Sequence, residues 1–231
     1  MMREKLRRGS RLAQILWQAV LSIGVFMLAN ASWAGSVRQP EANPNKAAST
    51  SYRVDAARSR FEIKVTSAGF LKMLGHNHTV AVRNFTGEVQ LSDLSPQSAH
   101  IQILIQAKSL TLADTEVSPK DRHEIESTMR DSVLEVSKYP EIRFTSKKVA
   151  AEKSNAGGYK VDIEGDLTLH GMTRHIVVPA WVRIDANQIE ARGEPTLKQT
   201  DYGIKPVSIA GGTVKVNNVV GLVFDIVAVR K

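Results

Sequence analysis

No cysteine occurs among the 231 residues of the chain. That absence excludes a disulfide framework, a thiolate zinc site, a cysteine nucleophile and an iron–sulfur cluster. Aromatic residues make up only 6% of the chain, so an interior has to be filled mainly by aliphatic side chains. Glycine and proline number 15 and 8, too few for a collagen-like or Pro/Gly-rich disordered chain. Catalytic signatures are missing as well. There is no G-x-S-x-G elbow, no P-loop and no G-x-G-x-x-G turn. Glu124 and Glu126 fall on different faces of a helix. Asp162, Glu164 and Asp166 alternate along one strand face, where solvation accounts for them. The residues point away from an enzyme.

The net charge of +8 is unevenly spread. Residues 1–34 hold Arg3, Lys5, Arg7, Arg8 and Arg11 against Glu4, which is half of the excess. In the remainder the signs alternate, and no basic stripe of the kind a nucleic-acid binder presents is found. Nucleic acid is therefore excluded as a partner. The same 34 residues have the three parts of a secretory signal peptide. A basic start runs to Arg11, an apolar stretch spans Ile15 to Ala29, and small residues follow at Ala29-Asn30-Ala31 and Ser32-Trp33-Ala34. Cleavage is expected after Ala34, with Ala31 as the second choice. The apolar stretch is shorter than the ~20 residues of a spanning helix. Residues 35–51 are polar with two prolines and read as a flexible linker. The folded domain is expected over residues 52–231.

Within that domain, apolar and polar residues alternate. Phe61 to Val65, His100 to Gln106, Tyr159 to Glu164 and Gln188 to Arg192 each show a period of two. Successive side chains of a strand point to opposite faces, so each such strand has one wet and one dry face. Phe85 to Leu91, Glu141 to Val149, Arg174 to Asp185 and Val214 to Arg230 add further strands. Turn signals separate them at Asp93 to Pro96, Asn155 to Gly158, Asp185 to Asn187 and Ala210 to Gly212. About eight one-faced strands bury their dry faces together most simply as a closed antiparallel barrel, which also removes both sheet edges. A barrel of roughly eight strands is just wide enough to be filled by side chains or to hold one small ligand. Its interior is expected to be lined by Phe61, Ile63, Val65, Val89, Ile101, Ile103, Ile105, Phe144, Val161, Ile163 and Leu167. Gly165 and Gly193 among them would leave room for an elongated apolar cavity. A solid core is the alternative that the residues leave open.

Ser118 to Glu135 departs from the alternation. Ile125, Met129, Val133 and Val136 recur every three or four residues, with Ser118 placed to cap, Pro119 in the first turn, and Asp121 and Glu124 near the start. One amphipathic helix is expected here, covering one end or flank of the barrel. Histidine supplies the remaining chemistry. His76 and His78 face the same side if their segment is a strand, which is one way to offer two imidazoles to a metal. A real site needs a third ligand, for which His170 qualifies only if its turn lies at the same barrel end. The competing reading is structural, with the imidazoles bonded to backbone carbonyls.

Several segments together resemble the YceI family. Tyr52 to Phe61 is similar to its V-D-x-x-x-S-x-[VIF] opening strand, and Phe85-Thr86-Gly87 to its F-x-G. Tyr139 to Phe144 resembles Y-P-x-[IL]-x-F. Gly165 to Arg174 resembles G-x-L-T-[IL]-H-G-V-T-[RK], and Asp201 to Ile204 resembles D-[FY]-G-[IV]. The order is right, and the set spans about residues 52–230. The resemblance implies an all-β fold, an extended eight-stranded antiparallel lipocalin-like barrel with one amphipathic helix. It also implies a periplasmic carrier without catalysis or a required cofactor, whose interior holds a polyisoprenoid, a quinone-like lipid or another long amphiphile. Membrane contact would then be transient at most. Two positions depart from the family. His175 stands where proline is usual, and Leu74 to His78 resembles a G-H-[DN]-H subgroup. The second departure implies a lumen that is smaller, polar at one end, or able to hold a metal or haem. Three functions thus compete: a lipid carrier, a metal- or haem-binding protein using His76 and His78, and a ligand-free structural or stress-related module.

Overall fold

The computed structural model describes residues 49–68, 77–209 and 214–231. The expected signal peptide, residues 35–48 of the linker, His76 and the Ala210 to Gly212 turn lie outside the described residues. In chain order the strands are β1 (Thr50–Val54), β2 (Arg60–Val65), β3 (Ser67–Ala68), β4 (His78–Val82), β5 (Phe85–Leu91), β6 (His100–Gln106), β7 (Leu110–Leu112) and β8 (Glu141–Lys153). They continue with β9 (Tyr159–Leu169), β10 (Met172–Ile184), β11 (Gln188–Gly193), β12 (Thr196–Lys198), β13 (Ser208–Ile209), β14 (Val214–Val216) and β15 (Val219–Arg230). The helix α1 spans Pro119–Thr128.

Eight strands close into an antiparallel ring in the order β1, β5, β6, β8, β9, β10, β11, β15, and β15 returns to β1. Beyond the ring, β15 continues against β2, which pairs in turn with β4 and β7. Thus β1 with β2, β4 with β5, and β6 with β7 each form one long wall element with a kink. The kink between β1 and β2 shows why an Asp and a Ser stand there. One side-chain oxygen of Asp55 accepts from the amides of Ala57 (3.1 Å) and Arg58 (3.3 Å) and so turns the chain. The Ser59 hydroxyl then donates to the Asp55 carbonyl (2.6 Å) and accepts from the Val227 amide (3.0 Å). A side chain satisfies β15 where the bulged strand offers no backbone partner.

The two barrel ends differ. At one lie the turns after β8 and β10, with Tyr52 and Leu91 fully buried beneath them. There the Tyr52 hydroxyl donates to the Ala186 carbonyl at 3.3 Å. At the other end lie α1, the small sheet β13-β14-β3 and the turn between β9 and β10. The hydroxyl of Ser118 caps α1 by accepting from the Asp121 amide (3.2 Å), as its sequence position suggests. Glu126 accepts from the Leu112 amide at 2.9 Å, and Arg122 donates to the carbonyls of Leu112 and Asp114, so the helix is tied to β7 and the segment after it.

Four details differ from expectation. β1 starts at Thr50, because Thr50 and Ser51 already pair with Leu91 and Gln90. The stretch from Val214 to Arg230 is broken at Asn217-Asn218. There the Asn217 side chain accepts from the Val219 amide (3.1 Å), and the two halves join different sheets. After Thr128 the helix widens into a π turn, Met129–Val133, and ends where Glu135 takes left-handed backbone (φ 45). Lastly, Gly165 and Gly193 leave no void. A Cβ at Gly165 would lie 2.7 Å from the Phe144 ring, and one at Gly193 would lie 2.5 Å from the Phe224 ring. Both glycines make room for an aromatic ring.

Candidate functional site

The dry strand faces enclose a cavity of about 780 Å³. Ligand pockets run from ~300 to 1,000 Å³, whereas ordinary cores hold few voids larger than a water. Phe61, Ile63, Val65, Val89, Ile101, Ile103, Ile105, Phe144, Val161, Ile163 and Leu167 all line it. The alternation places them there, since each occupies the inward step of its strand. The wall also includes residues that the sequence reading left out. Val80, Val82, Leu110 and Leu112 come from β4 and β7, which are short and lie beyond the ring. Ile125, Met129 and Val133 come from the helical segment, as its spacing suggests, whereas Val136 is not part of the wall.

Toward the end that carries α1, the part of the wall built from β4 and β7 turns polar within one step. On β4 and β7 the inward pairs are Val82 with Leu110 and Val80 with Leu112. The next step brings His78 beside Asp114. The His78 ring donates from Nδ1 to Asp114 Oδ2 at 2.7 Å, and Asp114 Oδ1 accepts from the Thr79 amide at 3.0 Å. The Ala113 amide donates to the Thr79 carbonyl (2.8 Å), extending the ladder that sets this pair. Asp121 and Glu124 on α1 and Lys215 on β14 border the same end of the cavity.

A second cluster sits at that end but outside the lumen. His170 and Gly171 form the two-residue turn between β9 and β10, both with left-handed backbone (φ 51 and 72). His170 bonds partners far along the chain rather than its own turn. Its Nδ1 donates to the Tyr202 carbonyl (3.1 Å), and its Nε2 lies 2.7 Å from the Glu135 carboxylate. The Tyr139 ring packs on the imidazole at 4.5 Å, and a Cβ at Gly171 would lie 2.5 Å from that ring. Arg174 donates to the Asp201 carbonyl at 2.8 Å. The segments around Tyr139, His170 and Tyr202 therefore meet in one clasp that fixes the end of the helical segment to the barrel. Within it Tyr202 is 1% exposed, its hydroxyl has no partner among the described residues, and burial pushes its phenol pKa up.

These positions bear on the metal reading. Both nitrogens of His170 are engaged, and one nitrogen of His78 is held by Asp114. Among the described residues no group of three His, Cys, Asp or Glu side chains is placed to hold a metal ion. Asp114 was not singled out in the sequence. It lies 36 residues from His78, and only the pairing of β4 with β7 brings the two together.

Residues 52–228 match the YceI-like domain family. A UPF0312 protein from Pseudomonas savastanoi pv. phaseolicola is 29% identical over 129 residues, covering 53% of this chain and 62% of that relative. The chain thus spans less than two thirds of that relative's length. Burkholderia cenocepacia BcnA superposes with a TM-score of 0.58 at 18% identity, over 75% of this chain and 98% of that one. A polyisoprenoid binding domain from Saccharophagus degradans, implicated in plant cell wall breakdown, superposes at 0.54 and 17% identity, over 78% and 98%. At these identities the two structures establish a common fold.

Proposed function

The chain belongs to the YceI-like domain family, and from that premise we propose that it is a binding protein, not an enzyme, whose barrel lumen holds a lipid-like amphiphile. A polyisoprenoid or quinone-like lipid is the first choice of ligand. The observation that carries this reading is the 780 Å³ cavity with its apolar wall. A polyprenyl tail has almost nothing to hydrogen-bond. Its retention rests on apolar burial, at about 25 cal/mol per Å² before the costs of association are met. An apolar lumen is sufficient for that. The polyisoprenoid binding domain of Saccharophagus degradans, which shares the fold, supports the same class of ligand. The basic, apolar and small-residue order of residues 1–34 supports export, and we place the mature protein in the periplasm.

The test is extraction of the purified protein with organic solvent, followed by mass spectrometry of the extract and metal analysis of the protein. The expected result is an amphiphile with a long apolar tail, in an amount comparable to the protein. A stoichiometric metal or a haem absorption band would favour the histidine reading instead. An empty extract from protein purified out of its own host would favour a ligand-free module.

A further inference from the structure

We infer that His78 and Asp114 form the head-group seat of the lumen, and that this seat selects an uncharged, hydroxyl-bearing head over a phosphate. The inference rests on the lipid-binding reading above and specifies which amphiphile the lumen takes. Three observations carry it.

The first is position. His78 lies on the inward face of β4 two residues before Val80, and it borders the cavity. It stands at the step where the β4–β7 part of the wall changes from apolar to polar, which is where the polar end of an amphiphile comes to rest if its tail fills the lumen.

The second is free bonding capacity on a fixed ring. Asp114 holds Nδ1 at 2.7 Å and is itself held by the Thr79 amide, so the imidazole is oriented from behind. Among the described residues Nε2 has no partner. A neutral ring offers Nε2 as an acceptor, and a protonated ring offers it as a donor. A hydroxyl matches both, because it donates and accepts.

The third is charge. Asp121 and Glu124 border the same end, against Lys215 as the single Lys or Arg among the described residues bordering the cavity. Behind His78, the Asp114 carboxylate is accompanied by the Arg122 guanidinium, which is already taken up by the carbonyls of Leu112 and Asp114. The α1 N-terminus would favour an anion, but its own groups already occupy it. The Ser118 hydroxyl takes the Asp121 amide, and the Asp121 carboxylate lies in the first turn. A phosphate placed here meets the carboxylates of Asp121 and Glu124 in a partly desolvated site, with no free guanidinium among the described residues there to receive it, whereas an alcohol or phenol meets an acceptor.

The test uses the purified, delipidated protein and three probes with related tails: geranylgeraniol, geranylgeranyl monophosphate and the hydrocarbon squalene. Affinities are measured for the wild type, His78→Leu and Asp114→Asn. The expected result is that the alcohol binds at least tenfold more tightly than the phosphate. His78→Leu should weaken the alcohol about tenfold and leave squalene unchanged, as loss of one hydrogen bond implies. Asp114→Asn, which preserves shape, should narrow the gap between alcohol and phosphate. A phosphate that binds as tightly as the alcohol overturns the inference while the lumen reading stands, and so does an equal loss for alcohol and squalene in His78→Leu. If none of the three probes binds the wild type, the lumen reading itself fails and takes the inference with it.

Discussion

The lumen wall and the clasp at its helix end are specified in opposite ways. The clasp depends on a few residues of particular type. His170 and Glu135 are held in left-handed backbone, Gly171 is pressed against Tyr139, and Tyr202 offers its carbonyl. Each left-handed non-glycine residue costs roughly 1 kcal/mol or more, so the surrounding bonds and packing have to hold it. The lumen wall depends on no single residue type. At most inward steps it asks only for an apolar side chain, and Ile, Val, Leu and Phe all serve. In a barrel of this kind the segments that stand out in a sequence fix the shape, while the surface offered to a ligand is spread thinly over many strands.

Substitutions can break or sharpen that contrast. The largest effect is expected inside the lumen from a charge. Ile103→Asp should cost about 3 kcal/mol or more in urea denaturation, because the carboxylate has no partner there. Ile103→Leu should stay within about 1.5 kcal/mol of the wild type. If Ile103→Asp were as stable as the wild type, the inward assignment of that face would be wrong. Next comes Gly171→Ala, which adds a Cβ against Tyr139 at a backbone φ of 72. A loss of about 2 kcal/mol is expected, with the lumen unaffected.

The clasp bonds come third. His170→Ala and Glu135→Ala should each cost about 1–2 kcal/mol, and the double variant should cost less than their sum. Full additivity would mean that the 2.7 Å contact contributes nothing. Ligand affinity should not change in either, since neither residue borders the cavity. The smallest effect is expected from Tyr202→Phe. Its hydroxyl is buried without a partner among the described residues, so removing it should be neutral or stabilise by up to about 1 kcal/mol. Tyr202 also has a pH signature. Burial raises its pKa, nearby Asp201 raises it further and Arg174 opposes both, so the fold favours the neutral phenol. That contribution is fully present below the ordinary tyrosine value of about 10 and is lost as pH rises through the higher folded value. Wild-type stability should therefore fall more steeply than that of Tyr202→Phe in alkaline denaturation curves.

The same contrast governs how much can be read without coordinates. Inward residues such as Ile101, Ile103 and Ile105 are legible because a period of two is a local property. The helix start is legible for the same reason, as Ser118 and Pro119 sit next to the turn they shape. The His78–Asp114 and His170–Glu135 pairs are not, because sheet register and left-handed turns bring together residues about 35 apart. Gly165 misleads for a related reason. A missing side chain looks like space until the ring of Phe144, on the neighbouring strand, is seen to fill it. β7 carries too few residues to show a period, and the small, mixed side chains of β4 (HTVAV) give only a faint one.

The central claim is that the ligand occupies the lumen itself. Ala191 borders the cavity, and a large ring there would fill it from the wall inward. Native mass spectrometry of protein purified from its own host, wild type beside Ala191→Trp, tests the claim most directly. The account predicts a bound lipid-sized mass on the wild type and its loss from a folded Ala191→Trp. The same bound mass on both proteins, or none on the wild type, would contradict it.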